Sequence, residues 1–494
     1  MSADEHQLRV IECRSRTIRM VAPAGSGKTQ TIVERVLGRI EEGVRPERVL
    51  VLTFDRAARR SLAERLASRS LEAGIGADGC TVSTLNAFGA ALLRRHAPEE
   101  ARAVAADVLA ERLLGESAAE CGLAADLVGH GALVREVFAL LKNALHDPRT
   151  GREREFARFL TSDPVARDRM AELASEVPGA DPAAVARLFV ATDRAMRGAR
   201  VIDFDDQKLR ALALFERAEL RERIAGLWDE VIVDEFQDIN RLDFALVQRL
   251  AARSDLVVTG DDDQAIYGFR GCSSEFIVGL ARLLRREVDS HELAINYRNP
   301  PNLLEHAVRL VRHNRGRIPK SPVAARTDAA VVIAAPAGSA EAETAGLAHR
   351  ARKAIGGGRS PRDLAVLCRT NAHCVSVAAK LRSVGIPCRV RAEADRGAGR
   401  RRCAADEPAD VEYAADAVTV ATYFRAKGLQ WPVVFLPGCN EGLIPHPRAP
   451  VDGERRLFYV ALTRASQELV ASWVAVPRDE ARPSRFLAEA GLVG

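Results

Sequence analysis

The sequence predicts an α/β protein built on parallel sheets around a phosphate-binding loop. Two stretches carry that prediction, Ala22–Thr29 (APAGSGKT) and Val231–Asp238 (VIVDEFQD). A third observation supports it: short apolar runs such as Val49–Thr53, Val257–Gly260 and Val433–Leu436 recur along the chain. Runs of this kind mark buried parallel strands, and ligands bind at their C-terminal ends.

The first stretch reads as a strand, a glycine-rich loop and a helix start. A helix N-terminus and the N–H groups of such a loop form an anion cradle. Gly25 and Gly27 let the backbone approach phosphate oxygens where a Cβ would clash. Lys28 suits the β- and γ-phosphates, and the Thr29 hydroxyl suits Mg²⁺. Ala24, Ser26 and Gln30 complete the loop and the first helical turn. The strict pattern begins with glycine, and this chain has Ala22 there. In the second stretch Val231, Ile232 and Val233 form the strand, with Asp234 and Glu235 at its C-terminal edge. A hard dication takes oxygen ligands, so Asp234 suits Mg²⁺. Glu235 suits orienting and deprotonating an attacking water. Either motif alone arises by chance; together, in this order, they point to a triphosphate with Mg²⁺.

Composition sets looser bounds. The chain has 494 residues, 47% hydrophobic and 28% charged, ordinary for a soluble globular protein of several domains. A net charge of +5 permits a basic groove without arguing for one. The first twenty residues lack an apolar signal core, and no apolar run is long enough to span a bilayer. The nine cysteines include no Cys-x-x-Cys pair, which argues against zinc and iron–sulfur sites. Free thiols in a cytoplasmic protein, with no membrane role, are the expectation.

Further segments follow in order: Val49–Phe54, Thr81–Phe88, Val257–Gln264 continuing to Gly271, Asn296–Asn299, Lys427–Trp431, Glu454–Ala465 and Pro483–Leu487. The series resembles the UvrD/PcrA/Rep-type helicases of superfamily 1, over nearly the whole chain from Gln7 onward. The resemblance implies two RecA-like P-loop NTPase lobes with an inserted helical subdomain. It implies that Gln7 reads the adenine edge, although a helix-surface glutamine is the alternative, and that Tyr297 stacks on the base. Gln264 resembles the γ-phosphate sensor. Arg298 and Arg464 resemble two arginine fingers, where a permanently charged fork stabilises the transferring phosphoryl group. Phe54, Tyr267 and Phe269 resemble positions that stack on single-stranded DNA in the family, and the resemblance implies that Thr53, Thr84, Asn86 and Arg270 either contact its phosphates or support the groove. Aromatic rings there stack on bases without sequence preference; core packing is an equal alternative for Phe54 and Phe269. Phe269 stands where relatives carry Trp, Phe424 and Asn86 where they carry His, and Gln430 where a Glu accepts from the ribose. The changes at Phe424, Gln430 and Asn86 touch the coupling of ATP to DNA, the first by removing a polar contact near DNA; none removes a hydrolytic residue.

The motifs divide the chain into a first lobe, 1–98 and 201–287, an inserted helical subdomain, 99–200, and a second lobe, 288–390 and 418–494. Larger relatives insert a helical subdomain (2B) where this chain has only the polar stretch 391–417, which reads as a short solvated linker holding Arg400, Arg401 and Arg402. The implied function is an ATP-dependent 3′–5′ helicase or translocase acting on single-stranded DNA or a 3′-tailed duplex. Two rivals stand beside it. One is a translocating ATPase subunit of a larger repair or defence complex, with a partner protein supplying the control of the missing subdomain. The other is a nucleotide-gated DNA-binding module without turnover, against which the complete hydrolytic set argues.

Overall fold

The structure, a computed structural model, describes residues 3–123, 125–391, 416–475 and 482–493. Two six-stranded sheets organise it. The first holds β1 (Thr17–Val21), β2 (Val49–Thr53), β3 (Thr81–Thr84), β4 (Glu230–Val233), β5 (Asp255–Gly260) and β6 (Asp289–Glu292). Their order is β3-β2-β4-β5-β1-β6, parallel throughout. The second holds β7 (Val331–Ala337), β8 (Leu364–Cys368), β9 (Cys388–Arg391), β10 (Val418–Thr422), β11 (Trp431–Leu436) and β12 (Ala465–Val474), in the order β7-β12-β11-β8-β10-β9, again parallel. Burial explains the strand sequences. Every residue of β2, β4, β8 and β10 is buried, and three of the four read as near-continuous Val/Leu/Ile/Ala runs because helices cover both faces.

One boundary differs from the sequence reading. Ending the first lobe at 287 assigns Asp289–Glu292 to the second lobe, yet this strand pairs with β1, Ile18 opposite Asp289 and Val21 opposite Glu292. Its sequence, DSHE, is polar because it is a half-exposed edge strand, and no apolar run advertises it. The proposed linker 391–417 falls almost wholly on residues 392–415, which lie outside the described residues, as do Arg400, Arg401 and Arg402.

A helical body leaves the first sheet through a two-stranded parallel ribbon, Ala103 beside Val201 and Val104 beside Ile202. Its helices include Asp107–Glu120, Gly131–Asn143, Glu153–Ser162, Pro164–Glu176 and Pro182–Gly198. Asp163 and Asp181 cap the last two, each followed by a proline whose fixed φ suits a first helical position. Phe138, Phe156 and Phe189 meet at its centre, with ring centroids 5.0 and 5.5 Å apart. Lys142, 4% exposed, ties the body to the first sheet's helices: its ammonium lies 2.6 Å from Asp203 and 2.8 Å from Asp206. These two aspartates form a capping box on helix Phe204–Ala213. Lys142→Met leaves buried Asp206 without its cation, so it is expected to lower stability by roughly 3 kcal/mol, read as a lower thermal midpoint by circular dichroism. Among the described residues no helix is long and apolar enough to cross a membrane, and the eight described cysteines are free thiols.

Candidate nucleotide and DNA site

The loop after β1 lies at the C-terminal edge of the first sheet, between the ends of β5 and β6. Gly25 and Gly27 adopt φ of 79° and 82°, a region that favours glycine. Close approach demands the same residue: a Cβ on Gly25 would lie 2.6 Å from Arg298 Cβ. Ala22 precedes the tight part of the loop. Its N–H donates to Gly260 O at 2.9 Å as an extension of β1, and its methyl is buried in the sheet's core, so alanine fits where the pattern has glycine. Helix Lys28–Glu41 starts immediately afterwards, and its first-turn N–H groups have no intrahelical acceptor. The buried Ser26 hydroxyl likewise has no protein partner. Thr29 and Gln30 are half-buried in that turn, with Gln30 donating to Glu34 at 2.5 Å.

The ammonium of Lys28 lies 2.8 Å from Asp234 and also pairs with Glu235. Burial pulls the Lys28 pKa down, and the two carboxylates more than reverse it, raising it above the ordinary lysine value. Burial pushes the Glu235 carboxyl up, but Lys28 and then Lys427 hold it at about 2. Glu235 has φ 54°, uncommon for a residue with a side chain, and its carboxylate accepts from Gln237. Strain of that kind clusters at functional sites.

The second half of the chain closes over this loop. Asn296 donates to Ala24 O at 2.6 Å, and the Tyr297 N–H donates to Gly25 O at 2.9 Å. Gln7 Nε2 donates to Ser26 O at 3.3 Å, and a Cβ on Gly27 would lie 2.5 Å from it. The Tyr297 hydroxyl donates to Asp4 at 2.5 Å, while Asp4 and Gln7 form the capping box of helix Glu5–Glu12. Gln7 and Tyr297 therefore stand against Gly25, Ser26 and Gly27, and the next residue, Lys28, reaches Asp234 and Glu235. Arg298 donates to Gln430 Oε1 at 2.6 Å. Arg464, 1% exposed, donates to the carbonyls of Val460 (2.8 Å) and Leu429 (3.0 Å) and to Gln264 Oε1 (3.4 Å). Burial, then the charge of Arg298, pushes its pKa well down. Among the described residues neither Arg298 nor Arg464 has a carboxylate at ion-pair distance. A buried cation without a counter-ion, as Arg464 is, is costly, and with half-buried Arg298 beside the phosphate cradle it makes a place for an anion.

Lys427 was not singled out from the sequence. Its ammonium pairs with Asp238, donates to Gln264 O at 2.9 Å and lies 3.9 Å from Glu235. It thus joins the second sheet to the carboxylates of the first. Burial raises Asp238 to about 7 despite that lysine. The only available signal was its place in the Lys427–Trp431 segment.

An aromatic row flanks the same seam. Phe54 and Tyr267 stack, with centroids 5.3 Å apart and planes at 16°. Tyr267 meets Phe269 at 6.2 Å, and Phe269, 40% exposed, meets Phe424 edge-on at 5.5 Å. The Arg270 guanidinium lies 5.5 Å from both Tyr267 and Phe269. Phe424, the departure from histidine, thereby extends the row onto the second sheet. Thr53 and Thr84 lie opposite each other on β2 and β3, both buried. The Thr53 hydroxyl donates to Asp55 O at 3.2 Å, and the Thr84 hydroxyl caps helix Leu85–His96, in whose first turn half-buried Asn86 sits. The Thr53 and Thr84 hydroxyls thus bond backbone groups, and none of the three touches the ring row in any bond described.

The family's two domain descriptions cover both halves: UvrD/REP helicase N-terminal domain over residues 3–283, and UvrD-like helicase C-terminal domain over 291–395 and 403–475. The chain is 26% identical to the ATP-dependent DNA helicase UvrD2 of Mycobacterium tuberculosis, covering 98% of this chain and 81% of that protein. It is 27% identical to the ATP-dependent DNA helicase PcrA of Staphylococcus aureus over 74% of this chain and 48% of that one. Matched in both halves by one family, this chain belongs to the UvrD/REP-type ATP-dependent DNA helicases.

Proposed function

We propose that this protein is a 3′–5′ single-stranded DNA motor that hydrolyses ATP at the seam between its two sheets. The observation that carries the reading is the pair of counter-ion-free guanidinium groups, Arg298 and Arg464, beside the loop that holds Lys28. In this reading Gln7 and Tyr297 take the adenine, Gln430 the ribose, and Ala24, Gly25, Ser26, Gly27 and Gln30 line the phosphate path. Asp234 and the Thr29 hydroxyl would hold Mg²⁺, which supplies charge neutralisation to the β- and γ-phosphates. Lys28 leaves the carboxylates for the phosphates, and Glu235 is then free to orient water and accept its proton. Arg298 and Arg464 stabilise charge on the transferring group, and Gln264 links that event to the aromatic row through its neighbour Tyr267.

Bases would stack along Phe54, Tyr267 and Phe269, with Arg270 at the backbone. Phe54→Ala is expected to weaken single-strand binding by about 1–3 kcal/mol without changing the salt slope, which reports phosphate contacts. Fluorescence anisotropy with an oligo(dT) at several salt concentrations checks this.

A second reading has one observation in its favour. The alignment to UvrD2 runs over 586 positions and this chain has 494 residues, so the relative carries segments absent here. A motor stripped of such segments would translocate but unwind only with a partner protein. ATPase assays with and without single-stranded DNA, followed by strand displacement on 3′- and 5′-tailed duplexes, test both. DNA-stimulated turnover with unwinding of the 3′-tailed substrate alone supports the first. Stimulation without unwinding supports the second, and unwinding from the 5′ tail overturns the polarity.

A further inference from the structure

Asp261, Asp262 and Asp263 follow β5 and immediately precede Gln264, and all three are buried. The space among their carboxylates is filled by an ammonium from the second half of the chain. Lys320, 2% exposed, lies 2.8 Å from Asp261, 2.8 Å from Asp263 and against Asp262. Arg317 forks onto Asp263 with bonds of 3.0 and 2.5 Å, and the Ile318 N–H donates to Asp262 at 3.0 Å.

The segment bearing these groups is anchored at its other end. Asn314 donates to Asp452 O at 3.0 Å and accepts from Arg455 at 2.5 Å, both on helix Val451–Leu462, which leads to Arg464. Packing is reciprocal across the seam: Ile318 packs against the core of the first sheet, and Ile266, just past Gln264, is buried in the core of the second. The charge cluster is the knot in this exchange.

Its output is the orientation of one amide. Asp261 accepts from Gln264 Nε2 at 2.9 Å. A carboxylate only accepts, so the amide nitrogen must face it and the carbonyl oxygen is turned toward Arg464. Two cations against three buried carboxylates leave the cluster dependent on Lys320, because removing one partner leaves an uncompensated buried charge.

We propose that Lys320 and Arg317 are positioning residues that hold Asp261 and, through it, the Gln264 amide, and that this locked cluster is the fixed pivot between the two sheets during turnover. The proposal rests on the reading of Gln264 as phosphate sensor given above.

Asp261→Asn tests it with little risk to folding, since it removes one buried negative charge while keeping shape. Its oxygen stays with the Lys320 ammonium, so its amide nitrogen faces Gln264, whose amide turns over and presents nitrogen to Arg464. Lys320→Met combined with Asp262→Asn tests the pivot with the charge count preserved. For both variants the expected result is a KM for ATP and an oligo(dT) affinity within about threefold of wild type, and a DNA-stimulated kcat lower by about tenfold or more. Either variant, folded by circular dichroism and retaining wild-type DNA stimulation, overturns the proposal, because a merely structural cluster moves stability and not this ratio. A wild-type protein showing no DNA-stimulated ATPase defeats the motor reading itself, a different outcome from failure of the pivot.

Discussion

Glu235→Gln is expected to reduce ATP turnover by about 10²–10⁴-fold, the usual contribution of a general base, while nucleotide binding stays close to wild type. The substitution keeps size and the hydrogen bond from Gln237 is replaceable, but the proton acceptor is gone. Lys28 retains Asp234 at 2.8 Å, so the cradle keeps its geometry. Binding survives for a second reason: of the groups that face the base and the phosphates, Lys28 pairs with Glu235, while Gln7, Tyr297 and the loop residues Ala24, Gly25, Ser26 and Gly27 touch it in no bond described. Phosphate-release kinetics give kcat, and titration of a fluorescent ATP analogue gives affinity. A variant that binds and turns over normally moves the water-activating role to another residue.

Arg464→Lys is the second large effect. Removing an arginine finger typically lowers kcat by about 10³–10⁵-fold, and lysine keeps the charge while losing the fork. The guanidinium also donates to the carbonyls of Val460 and Leu429, and each lost partner costs about 1–3 kcal/mol, so the variant should melt somewhat earlier. That loss of stability cannot account for a thousandfold loss of rate in a folded sample. Because the contact is made chiefly in the transition state, KM should change little while kcat falls. A rise in KM at unchanged kcat would instead make Arg464 a ground-state phosphate ligand.

Much of the cradle was legible because phosphate chemistry demands particular residues at fixed spacing: glycines at positive φ, then a lysine and a hydroxyl at a helix start. The apolar strands were legible for a similarly local reason, burial on both faces. What escaped was non-local or negatively signalled. Asp289–Glu292 is a strand with no apolar pattern, so the sheet's edge was drawn one strand too early. Lys427 and Lys320 owe their importance to carboxylates far away in sequence, and nothing in their own neighbourhoods marks a buried ammonium. Ala22 looked like a defect, and the backbone bond to Gly260 O shows that it lies on the strand, before the turn that requires glycine. The change from histidine to Phe424 suggested a lost contact; in the fold its ring lies 5.5 Å from Phe269 as part of one row.

The central claim is that ATP is hydrolysed at a seam, with cations of the second half reaching the terminal phosphate held by the first. A crystal structure of the protein with ADP, Mg²⁺, aluminium fluoride and oligo(dT) tests it most directly. The expected result places the guanidinium groups of Arg298 and Arg464 at hydrogen-bond distance, about 3 Å, from the fluoride, with Lys28 moved from Glu235 to the phosphate mimic. A complex in which the mimic is bound while Arg298 stays on Gln430, Arg464 stays on Gln264, and neither approaches the fluoride contradicts the account.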